Sequence, residues 1–235
     1  MPPRSEFIVE RPIAHRGLHD REAGRPENTL GAAKAALDAG YAIECDVRLS
    51  ADGEAMVFHD EKLERLTGQV GDFANLAMRE AHALSVHDSD ERIPTLVDFI
   101  ALIDGKVPLV IELKGDGGGA DHLALAVAKV LDASALNIAV MSFSHRQIGQ
   151  LRKLLPDRPV GLVATGCAPR DLDEHRQMID IVDFVSFNVD ELDNAFCAET
   201  RERELPLICW TVRSPEQAER AYRQCDQITF EGFHP

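Results

Sequence analysis

Apolar positions along the chain fall into two alternating patterns. Short runs rich in β-branched and aromatic residues read as strands at residues 12–17 (PIAHRG), 42–49 (AIECDVRL), 107–114 (VPLVIELK), 137–144 (NIAVMSFS), 158–165 (RPVGLVAT), 183–189 (DFVSFNV), 206–212 (PLICWTV) and 227–230 (QITF). Between them lie stretches of helical period. NTLGAAKAALDAG stops at Gly40, and PTLVDFIALI sets Leu96, Phe99, Ile100 and Ile103 on one face. SPEQAERAYRQ starts with Ser214 as cap, Pro215 in the first turn and Gln217 as capping-box partner. Alternating strands and helices build a parallel sheet, and eight such strands predict an α/β fold of the (β/α)8 TIM-barrel type.

A ninth apolar run, MVFHD at 56–60, cannot join that sheet as a parallel strand. Only SADGE (50–54) precedes it, whereas a parallel crossover needs about a dozen residues or more. The spacing predicts an extra antiparallel hairpin strand after the second barrel strand, with Asp52 and Gly53 in the turn. Side chains two apart share one face of a strand, so Glu44 and Asp46 point the same way, and the returning strand brings His59 beside them. Two carboxylates held that close repel and raise each other's pKa unless positive charge lies between them. The pair asks for a cation.

Composition narrows the classes of function. With 235 residues, 45% hydrophobic and 28% charged, the chain can bury one large core, and a single domain over residues 1–235 is expected. A net charge of -15 and the absence of any Lys/Arg run disfavour a nucleic-acid partner, and an anionic substrate would need a local cation to offset that field. The five cysteines are scattered without a CxxC pair, which fits neither a zinc knuckle nor a disulfide framework but does fit reduced thiols in a cytoplasm. The N-terminus MPPRSEFIVERP lacks the apolar core of a signal peptide, and no apolar run reaches the length of a membrane span. A cytoplasmic location without stable membrane association is therefore expected. Oligomeric state leaves no mark on the sequence.

Barrels carry their functional side chains at the C-terminal ends of the strands. Those ends hold His15 and Arg16, Glu44 and Asp46, Glu112 and Lys114, Ser142 and Ser144, Asn188, and Trp210. Glu44, Asp46 and Glu112 form an all-oxygen set, which suits a hard ion such as Ca²⁺ or Mg²⁺ better than zinc. Pairing with a base such as Lys114 would explain one such carboxylate, but not three converging on strand ends. His15 and His59 are the acid/base candidates, each followed by a charged residue, and Arg16 and Lys114 are the candidate phosphate-binding cations. In RPENT (25–29), Glu27 and Asn28 suit either helix capping or the site, and Trp210 suits either the core or a pocket wall. The other histidines (His19, His82, His87, His122, His145, His175 and His234) are read as surface or capping residues. The glycine cluster KGDGGGAD (114–121) lacks phosphate-loop spacing and is read as a mobile active-site loop.

Taken in order, AHRG, RPENT, ECDV, VFHD, LTG, PTL, IELK, SFS and WTV resemble the glycerophosphodiester phosphodiesterases, from about residue 12 to residue 212. The resemblance implies a TIM barrel binding one divalent ion, Ca²⁺ or Mg²⁺, through Glu44, Asp46 and Glu112. It implies acid/base catalysis by His15 and His59, with His15 put first as base, and a phosphate held by Arg16. A short insertion at about 61–93 would help shape substrate choice. The implied reaction is hydrolysis of a glycerophosphodiester to sn-glycerol 3-phosphate and an alcohol. Alternatives are a lysophospholipid or sugar phosphodiester as substrate, or a non-catalytic barrel that keeps the metal as a structural clip. The chain departs from the family at its last strand, where CDQITFEGFHP stands in place of a sequence close to DGIITDxP, with Glu231 available to replace the aspartate.

Overall fold

The computed structural model describes residues 5–115, 120–132 and 137–235. Nine strands are described: β1 (Ile13–Ala14), β2 (Ala42–Leu49), β3 (Ala55–Val57), β4 (Leu109–Leu113), β5 (Ile138–Ser142), β6 (Val160–Ala164), β7 (Phe184–Asn188), β8 (Leu207–Val212) and β9 (Gln227–Phe230). All except β3 pair in parallel in the order β1-β9-β8-β7-β6-β5-β4-β2, and β1 pairs with β2 to close the barrel. β3 lies outside it, antiparallel to β2, with Val47 opposite Val57. The extra strand thus falls where the short SADGE connection requires, and Gly53 takes a positive φ of 89° in the turn.

Helices alternate with the strands: α1 (Leu30–Ala39), α2 (Glu64–Thr67), α3 (Met78–Ala83), α4 (Leu96–Ile103), α5 (Ala120–Asp132), α6 (His145–Leu154), α7 (Pro169–Arg176), α8 (Ala195–Glu202) and α9 (Pro215–Ala221). α1 ends at Gly40, whose left-handed conformation lets its N–H reach the carbonyls of Ala36 and Leu37. α4 buries Leu96, Phe99 and Ile103 and leaves Ile100 half-buried, as its periodicity predicts. Ser214 caps α9 by accepting from the Gln217 N–H, but the Gln217 side chain accepts from the N–H of Arg213, one residue further back than the expected box. β1 is shorter than the 12–17 run because Arg16 and Gly17 both take positive φ, which turns the chain off the sheet after Ala14.

Strand alternation sorts the core into two layers. Ile43, Cys45, Val47, Ile111 and Leu113 face outward, against the helices, in one large cluster. Ala42, Val110, Ala139, Met141, Val163, Phe184 and Ile208 fill the barrel interior with Phe7 and Ile8 of the N-terminal segment. On β2 and β4 the residues alternate in turn, so Glu44 and Asp46 continue the row of Ala42, and Glu112 that of Val110. A third cluster, including Met56, Phe58, Leu63, Leu66 and Phe73, packs the segment after β3, with Phe58 and Phe73 stacked at 4.7 Å.

Gly161 on β6 exists to make room for an aromatic ring. A methyl group there would lie 2.3 Å from the Phe184 ring, which is fully buried in the barrel. Gly161→Ala is therefore expected to destabilise the protein by about 1–3 kcal/mol through overpacking, read as a lower urea midpoint at unchanged slope. An unchanged midpoint would show that the interior at β6–β7 is loosely filled.

Candidate active site

The C-terminal ends of the strands surround a cavity of about 290 Å³ lined by His15, Arg16, Glu44, His59, Glu112, Lys114, Phe143 and Trp210, among others. At its floor, one oxygen from each of Glu44, Asp46 and Glu112 lies within 4.8 Å of the other two. All three residues are buried, Asp46 completely. This is the only such cluster of metal-ligating side chains among the described residues.

The three carboxylates are not equivalent. Asp46 is enclosed by donors: Asn28 Nδ2 donates to its Oδ2 at 2.8 Å, Arg16 Nε lies 3.1 Å from the same oxygen, and Lys114 Nζ lies 3.0 Å from Oδ1. Burial alone would raise its pKa, but Lys114 and Arg16 outweigh it and hold the carboxyl far below the usual range. Glu44 accepts from the backbone N–H of Arg16 at 2.9 Å through Oε2, while its Oε1 is buried without a hydrogen bond. Burial, then the charges of Asp46 and Glu112, push Glu44 well up. Glu112 is pushed up to about 7 by burial despite its ion pair with Lys114. Asp46 is thus charged, while Glu44 and Glu112 resist ionising together.

Those buried oxygens are the test of whether a hard cation fits. Among the described residues Glu44 Oε1 is buried without a hydrogen bond, and Asp46 Oδ1 and Glu112 Oε1 meet the Lys114 ammonium. An all-oxygen, partly unsatisfied set of this kind is what Ca²⁺ or Mg²⁺ takes, and a cation would stabilise the charged form of both raised glutamates. The residues fit the ion.

The RPENT segment resolves towards the site. Thr29, not Asn28, caps α1. Asn28 sits at a positive φ of 58° and exchanges two hydrogen bonds with Asp46, giving Nδ2–H to Oδ2 and taking the Asp46 N–H on Oδ1. Glu27 receives Arg16 Nη1 at 2.6 Å. With Nε on Asp46, two of the three guanidinium nitrogens of Arg16 are engaged by carboxylates, so Nη2 is the one left for a ligand. Gly17 allows this close turn: its φ is +78°, and a methyl group would lie 2.7 Å from the Ala32 backbone.

Each histidine at the cavity is held by a carboxylate behind it. His15 Nδ1 lies 2.5 Å from Glu231 Oε2, and His59 Nδ1 lies 2.6 Å from Asp60 Oδ1, which leaves Nε2 of both rings free of these bonds. Burial lowers the pKa of both rings, against the opposing pull of Glu231 on His15 and of Asp46 on His59. Glu231 also takes Arg213 Nε at 2.7 Å and has His19 Nε2 at 3.6 Å. The altered C-terminus therefore places a carboxylate against His15.

Trp210 stands in the cavity wall, donating Nε1–H to the Ser186 carbonyl and meeting Phe143 edge-on at 5.5 Å. Three other strand-end candidates have structural partners. The Ser142 hydroxyl lies 2.6 Å from Gln147 Oε1 and 3.0 Å from the Leu113 carbonyl and donates to one of them, Ser144 caps α6, and Asn188 accepts from the Asp190 N–H. Of the glycine cluster, residues 116–119 lie outside the described residues. Sequence reasoning missed Phe143, Arg213 and the approach of His19, although Phe143 lies within the quoted motif SFS.

Comparison with known proteins agrees with this geometry. Residues 15–229 match the glycerophosphoryl diester phosphodiesterase family. The chain is similar to YhdW of Bacillus subtilis, 27% identical over 88% of this chain and 87% of that protein. It is also similar to the glycerophosphodiester phosphodiesterase of Caldanaerobacter subterraneus, 32% identical over 64% of this chain and 65% of that protein. Among solved structures, an Oleispira antarctica phosphodiesterase in complex with the product sn-glycerol-3-phosphate superposes with a TM-score of 0.84, at 25% identity over 96% of this chain and 94% of that one. A barrel with three acidic side chains at its mouth, two carboxylate-backed histidines and this match over nearly its whole length belongs to the glycerophosphoryl diester phosphodiesterase family.

Proposed function

We propose that the site hydrolyses a glycerophosphodiester to sn-glycerol 3-phosphate and an alcohol, with one divalent cation held by Glu44, Asp46 and Glu112. The observation that carries this reading is the pair of carboxylate-backed histidines opening on one cavity whose floor is a buried, partly unsatisfied acidic triad. When bound, a Ca²⁺ or Mg²⁺ ion would supply Lewis-acid polarisation and charge neutralisation at phosphate and glycerol oxygens.

The side chains divide the rest of the work. Arg16 Nη2 and Lys114 Nζ hold phosphate oxygens in a cavity where water competes little. His15 accepts the proton of the glycerol hydroxyl next to the ester, and that oxygen attacks phosphorus. His59 delivers a proton to the departing alcohol oxygen as the P–O bond breaks, and water then opens the cyclic phosphodiester with the proton flow reversed. Burial supports this assignment: the His15 side chain is 13% exposed and that of His59 30%, so His15 is the ring more readily kept neutral. Two histidines so placed would serve no purpose in a metal clip. The cavity of about 290 Å³ suits a glycerophosphate and a small headgroup better than an acyl chain. All five cysteines are free, in keeping with a cytoplasmic setting, and among the described residues no helix is long and apolar enough to cross a membrane.

Release of glycerol 3-phosphate from glycerophosphocholine and glycerophosphoethanolamine, with Ca²⁺, Mg²⁺ or chelator, tests the reaction. His15→Ala and His59→Ala are each expected to lower kcat by roughly 10² to 10⁴ on these substrates. With a p-nitrophenyl glycerophosphodiester, whose leaving group needs no proton, p-nitrophenolate release in the first turnover should recover in His59→Ala and not in His15→Ala. Recovery in the opposite variant would reverse the two roles, and no release at all by the unmodified protein would remove the function.

A second prediction concerns the metal-free protein. Because the Glu112 carboxyl is raised to about 7, the folded chain binds more protons there than the unfolded chain, and its contribution to stability falls as pH rises towards and through that value. Glu112→Gln should therefore gain on the parent between about pH 5 and pH 8, by on the order of 2–3 kcal/mol. Added Ca²⁺ or Mg²⁺ should raise the melting temperature of the parent and not that of the variant. A difference between the two proteins that is flat with pH would show that the carboxyl ionises normally.

A further inference from the structure

Arg65 lies outside the cavity lining, on the one-turn helix α2 of the segment that follows β3, and its side chain is 46% exposed. Surface arginines of that kind are ordinarily worth little. Its contacts are unusual. Nε and Nη2 grip Asp60 at 2.6 and 2.7 Å, while Nη1 and Nη2 grip Glu27 at 2.8 and 2.8 Å. One planar guanidinium thus forks onto two carboxylates, a geometry that lysine cannot reproduce.

Each of those carboxylates stands directly behind a group facing the cavity. Asp60 Oδ1 meets His59 Nδ1 at 2.6 Å, and Glu27 Oε1 receives Arg16 Nη1 at 2.6 Å. Both lie below the ordinary carboxylate range, at about 2, because Arg65, joined by Arg16 at Glu27 and by His59 at Asp60, more than offsets the cost of burial. The guanidinium has a fixed base, since Leu66 beside it is buried in the cluster with Phe58 and Phe73, and the left-handed Gly68 closes the helix turn.

We propose that Arg65 is a positioning residue that locks Asp60 and Glu27 together and so orients His59 and Arg16 as one unit, tying the segment after β3 to the reacting centre. The inference rests on the proposed phosphodiesterase reading for its kinetic consequence, but its structural part does not. Without Arg65, Asp60 and Glu27 repel each other across the vacated space and lose the contact that fixes their rotamers. His59 then loses its single tautomer, and Arg16 loses its aim.

The experiment compares the full-length parent with Arg65→Ala and Arg65→Lys, using glycerophosphocholine hydrolysis and long-range ¹H–¹⁵N spectra of the histidine rings. Arg65→Ala is expected to lower kcat roughly 10- to 100-fold, the scale of a misplaced catalytic group, and to raise KM several-fold. In the spectra, His59 should pass from one Nδ1–H tautomer to an averaged mixture, while a ring held by other partners, such as His175 on the Thr165 carbonyl, stays unchanged. Arg65→Lys should stay within about threefold of Arg65→Ala, because one ammonium cannot fork onto two carboxylates. Unchanged kinetics in Arg65→Ala, an unchanged His59 tautomer, or full activity in Arg65→Lys would each overturn the proposal. If the parent itself does not hydrolyse the substrate, the phosphodiesterase reading fails and the His59 spectrum alone decides the role of Arg65.

Discussion

Three carboxylates buried within reach of one another at the mouth of a barrel set the terms for everything around them. Like charges at that spacing in a low-dielectric site cannot all ionise without compensation. The fold supplies part of it through Lys114 and Arg16, which ionise Asp46 and leave Glu44 and Glu112 raised. Around this centre, Glu27, Asp60 and Glu231 bring three further acids, while Arg65 and Arg213 bring two further bases. Were all six acids ionised against these four bases, the neighbourhood would carry two negative charges in excess, and the raised Glu44 and Glu112 are where the metal-free site resists that charge. The remaining hydrogen bonds keep the carboxylates in place: Asn28 holds Asp46, and the Arg16 N–H holds Glu44.

The barrel makes this concentration of charge tolerable by confining it to one end. Along β2 the inward row passes from Ala42 to Glu44 and Asp46, and along β4 from Val110 to Glu112. Apolar packing around Phe184, Ile208 and the N-terminal Phe7 and Ile8 fills the other end. The core is thus stabilised by burial where the chain can use it, and the site gives up stability where the chemistry needs unsatisfied oxygen.

What the sequence revealed follows from the range of the interactions concerned. Strands, the Gly40 stop and the pairing of Glu44 with Asp46 are set by neighbours a few residues apart, and periodicity exposes them. The short SADGE link even forced the antiparallel return that carries His59, because chain length alone excludes a parallel crossover. Asn28, by contrast, looked as much like a helix cap as a ligand clamp, since either role suits an Asn before a helix. Only the αL turn that follows β1 brings it to Asp46, 18 residues away. Arg65 drew no reading from the sequence, because nothing local records that Glu27, 38 residues earlier, will lie beside it. His19, set aside as a surface residue, comes near Glu231 for the same reason.

The contact between His15 and Glu231 spans 216 residues, and it lies where β1 and β9 meet to close the barrel. Loop-closure entropy makes a pairing of that separation slow to form and late to be rewarded. During synthesis, β1 leaves the ribosome long before its partner strand exists, so an emerging chain holds His15 unbacked while β2 to β8 are made. Closing the sheet and backing His15 with Glu231 are then one event, so the two ends of the chain complete the cavity wall only when the barrel shuts.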